Sequence, residues 1–599
     1  MRSLLIGAFL CLLSSGTAFA HDAGLIANVP GRKTTSLNGR WRIVIDPYEN
    51  GYYDYRHHPM PNGYFKNAKP KSESDLIEYN FDTAETLNVP GDWNSQSEKL
   101  FLYEGTIWYK RDFDYRKPAG SRLFVYFGAA NYDAIVFLNG ERLGEHIGGF
   151  TPFNFEITDK VRETGNFIIV KVDNKRLTEG VPTVNTDWWN YGGITRDVTL
   201  VEVPGTFIGD YLVQLQTGST SKISGWVKLD GSDRRQAVKV EIAEAAAATT
   251  VTTDDDGFAE IHLDANLSLW SPENPKLYTV KISSPTDTIT DQIGFRTIET
   301  RGTDIMLNGK PIFLRGVCIH EEAPYRSGRA FSDDDARTLL GWAKEMGCNF
   351  ARLAHYPHSE NMTRMADKLG ILVWSEIPVY WTIDWENSET LNNAINQLSE
   401  NITRDKNRAS IILWSMGNET PLSPARLAFM TKLAQVARHL DSTRLLTAAM
   451  EIHHEGPYSA TIDDPLGQYV DVLGCNEYVG WYDGLPDKCD KMEWRCAYDK
   501  PVVMSEFGGD AAFGLHGSAL TRFSEEYQQN LYEHQVAMLK RIPFLRGTTP
   551  WILMDFRSPR RPLPNIQDFY NRKGLVSDRG QKKKAFFVMQ RFYRELSSK

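Results

Sequence analysis

The feature that most constrains the fold is an alternation of apolar runs with amphipathic stretches over the second half of the chain. Eight runs rich in β-branched residues alternate with stretches in which apolar side chains recur at helical spacing. Eight buried strands with helical crossovers form a (β/α)8 TIM barrel, which we expect over residues 299–599. The strand candidates are residues 311–319, 349–353, 371–375, 411–415, 444–448, 471–475, 501–505 and 548–553. The helical candidates include residues 333–346, 359–369, 424–439, 525–541 and 582–596.

Polar side chains collect directly after these runs. In a barrel such positions surround the C-terminal mouth, where active sites lie. They include His320, Glu321, His355, Glu376, Asn418, Glu419, Asn476, Glu477, Glu506 and Asp555.

Two of these residues, Glu419 and Glu506, follow the fourth and seventh strand candidates and would face each other across the mouth. A retaining glycosidase requires two carboxyl groups about 5–5.5 Å apart, one to protonate the leaving oxygen and one to attack the anomeric carbon. One such glutamate is more simply explained as closing a strand and pairing with Lys or Arg. Two glutamates behind barrel strands favour the catalytic interpretation.

Two regions of short, alternating segments precede the barrel. Residues 21–203 are typical of an antiparallel β-sandwich, and residues 204–298 of a smaller, immunoglobulin-like sandwich. The alanine-rich stretch 243–248 resembles a helix, but its β-branched neighbours favour a strand pair with a loose turn.

The N-terminus predicts export. Arg2 precedes an apolar run over residues 4–13, and Ala18-Phe19-Ala20 fits a cleavage site, so residues 1–20 are interpreted as a signal peptide. The run is shorter than the roughly 20 residues of a membrane span. We therefore expect a secreted or periplasmic protein without a membrane anchor.

Charge and cysteine content exclude several functions. The net charge of -9 argues against a nucleic-acid partner. Of the five cysteines in the mature chain, Cys489 and Cys496 are close enough in sequence for one disulfide, which is left open, and Cys318, Cys348 and Cys475 are expected to be buried thiols. No Cys/His group has zinc-site spacing, so no catalytic metal or other cofactor is expected.

The motifs resemble family 2 of the glycoside hydrolases, which contains β-galactosidases, β-mannosidases and β-glucuronidases. The resemblance covers nearly the whole mature chain and implies a jelly-roll, sugar-binding N-terminal domain and retaining chemistry. It rests on Leu37-Asn-Gly-Arg-Trp41, Val89-Pro-Gly-Asp-Trp93, Leu269-Trp-Ser-Pro-Glu273, Asn349-Phe-Ala-Arg352, Ser415-Met-Gly-Asn418-Glu419 and Ser505-Glu506-Phe-Gly-Gly509.

The resemblance implies that Glu419 is the acid/base and Glu506 the nucleophile. Asn418 can donate a hydrogen bond to the sugar 2-hydroxyl, and Tyr478 can hydrogen-bond Glu506 and favour its ionised form. The alternative for Tyr478 is a tyrosine of the core. Glu419 must be protonated when substrate binds.

Within the family the sequence leans toward β-glucuronidases. Asn571 and Lys573 match the Asn-x-Lys motif that binds the uronate carboxylate, although a solvated basic loop is the alternative. The family's arginine four residues before Asn571 is replaced by Gln567, and Arg557, Arg560 or Arg561 are candidates to replace it. Further substrate-binding candidates are Asp187, His355, Asn476, Tyr482 and Trp551.

The expected function is hydrolysis of terminal β-D-glucuronides, with a β-galacturonidase or β-galactosidase of the same family as the alternative. A non-catalytic carbohydrate-binding scaffold is disfavoured because both glutamates are present with their neighbouring motif residues. The expected partner is a uronic-acid glycoside. Relatives in the family form dimers and tetramers, so a homo-oligomer is a further expectation.

Overall fold

The computed structural model describes residues 24–60, 71–75 and 79–598. The predicted signal peptide, residues 1–20, lies outside the described residues. In the described part of the chain, no helix combines the length and apolar character that crossing a membrane requires.

The N-terminal region is a sandwich of two antiparallel sheets. Leu123 and Val125 face the core between the sheets, whereas Phe124 packs on the opposite face against Phe207 of the next region. Successive strand residues point to opposite faces, so residues 123–127 form an unbroken apolar run because both faces of the strand are buried there. The first sheet contains Lys33–Ser36, Val198–Pro204, Ser121–Phe127 and Phe153–Glu156, and the second contains Thr86–Val89, Gly39–Ile45, Thr106–Phe113, Asn166–Asp173, Asp133–Leu138 and Glu141–Ile147.

The middle region is a second, smaller sandwich, as predicted. The alanine-rich stretch forms a single 3-10 turn, Ala243–Ala245, between the paired strands Ala237–Ile242 and Ala247–Thr252, so the strand-pair prediction is confirmed. Its sheets contain Phe207–Leu215, Lys222–Asp230 and Phe258–Asp264 on one side and Ala237–Ile242, Ala247–Thr252, Tyr278–Ser283 and Thr288–Ile293 on the other.

The third region is the predicted barrel. Its first strand is in two pieces, of which one pairs with the last strand and the other with the second strand, so the parallel sheet closes on itself. In order, the strands are Leu314–Arg315 with Cys318–Ile319, Phe350–Leu353, Leu372–Glu376, Ile411–Asn418, Leu445–Met450, Leu473–Asn476, Val502–Glu506 and Leu545–Thr548. The helices are Asp333–Met346, Glu360–Leu369, Ser388–Asp405, Pro424–Leu440, Glu525–Leu539 and Lys584–Ser597.

The helices begin and end where the sequence provides caps. Ser332 accepts a hydrogen bond from the backbone of Asp335, and Gly347 ends the same helix at a φ of 96°, a conformation that costs glycine little. The helical layer is incomplete, because 3-10 helices at Pro465–Gln468 and Pro486–Lys491 precede the sixth and seventh barrel strands.

The eighth strand was predicted too late in the sequence. It spans Leu545–Thr548 and ends before Pro550, which has no N–H to donate to a parallel ladder. The segment beyond it forms a short antiparallel ribbon instead, in which Phe556–Arg557 pairs with Tyr570–Asn571. This ribbon brings the residues after strand eight back over the mouth of the barrel.

The five described cysteines are free thiols. Cys318, Cys348 and Cys475 are buried, as expected, and Cys489 and Cys496 are unpaired, which answers the question left open by their spacing.

Candidate active site

Glu419 and Glu506 lie at the carboxyl ends of barrel strands four and seven. Glu506 is the last residue of its strand and is buried, whereas Glu419 follows its strand directly and is partly exposed. Glu419 has a φ of 47°, a left-handed conformation that a non-glycine residue adopts only under local constraint. The two carboxyl groups therefore occupy the same mouth, with Glu506 the deeper of the two.

Three side chains surround the carboxylate of Glu506. Arg352 Nη1 donates to Oε1 at 2.8 Å, Tyr478 donates its hydroxyl to Oε2 at 2.6 Å, and His355 Nε2 lies 3.6 Å from Oε1. Both strong donors bind the charged form of the carboxyl group, so they favour ionised Glu506. Tyr478 thus makes the contact that its position in the sequence indicated.

Arg352 is fully buried and connects several strands. Its Nη2 lies 2.9 Å from Glu376 Oε1 and 2.7 Å from Asn418 Oδ1. Burial raises the pKa of Glu376, but the charge of Arg352 and hydrogen bonds from His355 and Ser415 outweigh it and lower that pKa to about 2. Glu376 is therefore a permanent anion that balances the buried guanidinium.

Glu419 is held by a different set of donors. Trp381 Nε1 lies 2.9 Å from Oε2, and Asn476 Nδ2 lies 2.9 Å from Oε1. The Oδ1 atom of Asn418 accepts from Arg352, so its amide group points toward Glu419, with Nδ2 3.4 Å from Oε2. Asn418 and Arg352 thus connect the surroundings of the two carboxyl groups.

The pKa of Glu506 depends on a balance between burial and its neighbours. Burial raises it, Arg352 lowers it, the negative charge of Glu419 raises it and the hydrogen bond from Tyr478 lowers it, and the net pKa is about 8. The two hydrogen-bond donors therefore offset only part of the effect of burial, and losing either one would raise the pKa of Glu506 further.

Aromatic rings form one wall of the mouth. His355 stacks on Trp551 with ring centroids 4.8 Å apart, and Trp188 of the N-terminal sandwich lies 5.9 Å from His355. These rings form a buried cluster with Phe150, Cys318, Ala354, Tyr356, Tyr380, Ile552 and Phe556. The wall therefore contains residues of both the sandwich and the barrel.

Lys573 forms the second polar end of the site, which we call the sugar end. It is 1% exposed, and its Nζ lies 2.9 Å from Asp510 Oδ1 and donates to the Tyr482 hydroxyl at 2.9 Å. Burial lowers the pKa of Lys573, but Asp510 more than compensates, so the pKa lies above its usual value. An ammonium group has three donors, so one remains for a ligand.

Asp187 reaches this end from the N-terminal sandwich. It accepts from Asn571 Nδ2 at 3.1 Å and forms a two-point ion pair with Arg561, whose Nη2 lies 2.5 Å from Oδ2. Ser558 adds a hydrogen bond at 2.6 Å. Asp187, Asn571 and Arg561 are thus fixed relative to each other before any substrate binds.

The three arginines that could replace the missing family arginine lie in different places. Arg561 lies at the sugar end, whereas Arg560 hydrogen-bonds Asn185 and stacks over Trp381, and Arg557 faces away from the site. Gln567 itself donates to Asp510 at 2.9 Å. Arg561 is therefore the replacement that the geometry supports.

Four residues of the site had no assigned role in the sequence. Arg352 and Glu376 had a readable signal, because one is a charge inside a buried strand and the other is a charge at the end of a buried strand. Trp381 and Asp510 reach the site from loops, and only the fold reveals their contacts. In the described part of the chain, no cluster of His, Cys, Asp or Glu side chains has the arrangement of a metal site.

The chain matches three models of one family over nearly its whole described length. "Glycosyl hydrolases family 2, sugar binding domain" matches residues 34–204, "Glycosyl hydrolases family 2" matches residues 208–296, and "Glycosyl hydrolases family 2, TIM barrel domain" matches residues 298–598. These spans follow the two sandwiches and the barrel.

Known proteins with similar sequences and structures cover most of the chain. A putative β-glucuronidase of Formosa agariphila is 28% identical over 85% of this chain and 67% of its own length. A β-glucuronidase of Paenibacillus borealis is 27% identical over 94% of this chain and 97% of its own. The solved structure of an uncultured Clostridium sp. β-glucuronidase has a TM-score of 0.79 and 26% identity, and covers 96% of this chain and 99% of that one. The protein is thus a glycoside hydrolase that belongs to glycosyl hydrolase family 2.

Proposed function

We propose that the protein is an exported, retaining exo-β-glycosidase that removes terminal β-D-glucuronic acid from glycans or conjugates. The observation that carries the reaction class is the arrangement around Glu506, whose two oxygens accept hydrogen bonds from Arg352 and Tyr478 while Glu419 stands on the opposite strand of the mouth. The similarity to glucuronidases supports the substrate class.

In the first step Glu419 gives its proton to the glycosidic oxygen while a carboxylate oxygen of Glu506 attacks the anomeric carbon. The C–O bond to the aglycone breaks, and the aglycone leaves as an alcohol. In the second step the Glu419 carboxylate takes a proton from water, the water oxygen bonds to the anomeric carbon, and Glu506 is released. Two displacements retain the β configuration.

Arg352 and Tyr478 assist both steps through Glu506. Their hydrogen bonds stabilise the carboxylate as nucleophile and again as leaving group. Asn418 directs its amide toward Glu419, where a sugar 2-hydroxyl can accept from it. Trp381 and Asn476 keep the Glu419 carboxyl group oriented between the two steps.

Recognition of the uronate carboxylate is assigned to Lys573, Asn571 and Arg561. Lys573 has a free donor beside Tyr482, and Asn571 is oriented by Asp187. The pKa of Arg561 is raised because Asp187 outweighs burial, so its positive charge is permanent. A planar guanidinium and an ammonium group together suit a carboxylate better than a hydroxymethyl group.

The substrate proposal is tested with aryl β-glucuronide, aryl β-galacturonide and aryl β-galactoside. We expect the glucuronide to have the highest kcat/KM and Lys573→Ala to lower it about 100-fold, since a hydrogen bond to a charged group is worth about 1.5–3 kcal/mol. A preference for the galacturonide would correct the identity of the uronic acid. A preference for the galactoside, with Lys573→Ala silent, would refute uronate recognition.

The design needs two matched variants. Lys573→Ala leaves Asp510 buried without its cation, so Lys573→Met/Asp510→Asn removes both charges and separates lost recognition from local collapse. Lys584→Ala removes an exposed lysine of the same basic stretch, paired only with Glu526, and should leave all three activities unchanged.

The mechanism is tested by the stereochemistry of the product. Proton NMR during early turnover should show the β anomer first. Glu506→Gly should be inactive but should regain turnover with azide and yield the α-glycosyl azide, since azide enters from the face that the carboxylate vacates. A first-formed α anomer would indicate inversion and contradict the nucleophile assignment.

A further inference from the structure

A second cleft lies between the N-terminal sandwich and the barrel. Its volume is about 310 Å³, and it is lined by Ser97 and Phe101 of the sandwich and by Ser327 and Arg557 from barrel loops. Glu419, Glu506, Asn571 and Lys573 do not line it. The cleft is thus separate from the carboxylate site, and nothing in the reaction described above uses it.

Arg557 is the cation of this cleft. Its guanidinium lies between two rings, 4.9 Å from the Phe101 centroid and 4.7 Å from the Tyr570 centroid. Nη2 contacts the Ser327 hydroxyl at 3.3 Å, and the buried Nε has no acceptor. Arg557 is partly exposed, and among the residues that the structure describes it has no ion-pair partner.

The acids near the cleft do not form ion pairs with this guanidinium. Burial raises the pKa of Glu322 to about 8 although Arg557 lowers it, and the Tyr191 hydroxyl donates a hydrogen bond to Glu322 at 2.7 Å. Glu98 is exposed at the rim and makes no ion pair with the guanidinium. A guanidinium held between two rings and without an ion-pair partner therefore lines an open cavity.

We propose that this cleft is a second carbohydrate site that binds a carboxylate-bearing sugar unit through Arg557 and Phe101. The rigid guanidinium fork matches a carboxylate, the Phe101 side chain offers apolar contact to pyranose C–H groups, and Ser97 and Ser327 offer hydroxyls. The choice of a sugar unit rests on the proposed function, since the substrates would then be glycans that carry uronic acids.

The cleft and the active site share one structural element. In the ribbon described above, Arg557 pairs with Tyr570 and Phe556 with Asn571, and paired residues in antiparallel strands point to the same face. Arg557 therefore lines the cleft with the Tyr570 ring packed on its guanidinium, whereas Asn571 contacts Asp187 in the active site. A ligand on Arg557 stabilises the ribbon that carries Asn571.

Residues 187–189 of the sandwich also lie between the two sites, with some side chains facing the active site and one on the side of the cleft. Asp187 and Trp188 face the active site, whereas the Trp189 ring packs on Phe101 at 4.6 Å and its backbone N–H donates to the Arg557 carbonyl at 3.0 Å. The second site is thus behind the wall of the active site rather than in its entrance. It binds a unit other than the one that is cleaved.

The test places a reporter in the cleft of the full-length protein. Glu98→Cys, at the exposed rim of the cleft, is labelled with a trifluoromethyl group and followed by fluorine NMR during titration with D-glucuronate, D-glucose and acetate. The unsubstituted protein, labelled in parallel, identifies any signal from the partly exposed Cys496. We expect a saturable shift with glucuronate and at least tenfold weaker responses to glucose and to acetate.

The same titration is repeated in three backgrounds. Arg557→Gln should weaken glucuronate binding at the reporter at least tenfold, and Arg557→Lys should give an intermediate loss. Arg579→Gln removes an exposed arginine and should leave the titration unchanged. The melting temperature of each variant separates lost binding from lost fold.

Several outcomes would overturn the proposal: no saturable shift, an equal shift in Arg557→Gln, or equal binding of glucose or acetate. The test does not depend on the proposed function, because it measures binding of an unreacted sugar at a reporter outside the active site. Failure of uronide hydrolysis would appear in the substrate panel instead, and the effect of Lys573→Ala belongs to that panel alone.

Discussion

Replacing Tyr478 by phenylalanine tests the central electrostatic argument for Glu506. The substitution keeps the ring but removes the 2.6 Å hydrogen bond to Oε2. A hydrogen bond to a charged group is worth about 1.5–3 kcal/mol, and one pKa unit corresponds to about 1.36 kcal/mol. The bond favours the ionised form, so its loss should raise the pKa of the Glu506 carboxyl by about one to two units.

The assay is the pH dependence of kcat/KM for an aryl β-glucuronide. Activity requires ionised Glu506, so the acid limb of the kcat/KM profile reports the deprotonation of Glu506 in the free enzyme. In Tyr478→Phe the acid limb should move to higher pH by about one to two units. At pH values below the limb the rate should fall about 10- to 100-fold, and at higher pH it should approach the wild-type rate.

Tyr527 provides the matched control. Its hydroxyl is also buried and also makes one short hydrogen bond, but it donates to the backbone carbonyl of Gly480 at 2.7 Å. Tyr527→Phe should lower the melting temperature and leave the acid limb in place. If Tyr478→Phe were folded and kept the wild-type acid limb, the assigned link between this hydroxyl and the charge of Glu506 would be wrong.

Three further predictions follow from the buried charges. Arg561→Gln should raise KM for uronides more than it lowers kcat, because Arg561 lies at the sugar end, and a purely kcat effect in steady-state kinetics would contradict this. Asp464→Ala leaves Arg426 buried without its two-point partner and should lower the free energy of unfolding in urea by about 3–5 kcal/mol. A decrease of less than about 1 kcal/mol would show that this ion pair does not stabilise the fold. The pKa of Glu376 falls to about 2 on folding because Arg352 outweighs burial. The ionised carboxyl group therefore stabilises the fold by on the order of 3 kcal/mol above pH 4.5, and this stabilisation is lost as the pH falls toward 2. Urea midpoints measured from pH 6 to pH 3 that stayed constant would contradict it.

Local patterns predicted most of the fold. The helix Asp333–Met346 has the predicted bounds because its caps and its amphipathic pattern agree. Strand eight was misplaced, since the apolar run after Pro550 has the composition of a strand but its chain leaves the barrel to form the ribbon. An apolar run indicates burial, and it cannot distinguish a barrel strand from a buried loop.

The site was predictable where a residue's position on a strand fixed its location. Glu419 follows strand four and Glu506 ends strand seven, so the barrel alone brings them to one mouth. Trp381, Asp510 and Arg561 reach the site from loops whose path depends on packing between regions. The sequence offered three arginines for one role, and only the contact with Asp187 distinguishes Arg561 from the other two.

The charges at the sugar end affect how strongly the enzyme should select its substrate. Lys573 and Arg561 are cations, but Asp510 and Asp187 already pair with them, so the empty site carries no uncompensated charge. A neutral sugar would therefore not leave a buried cation without a partner. A uronate accepts hydrogen bonds from the remaining donors of Lys573 and Arg561, while both existing ion pairs stay in place. Each of these two charged hydrogen bonds is worth about 1.5–3 kcal/mol. Selectivity for glucuronide over galactoside should then be limited to about 10²–10⁴ in kcat/KM, and Lys573→Met/Asp510→Asn should reduce it by lowering uronide turnover, without raising galactoside turnover.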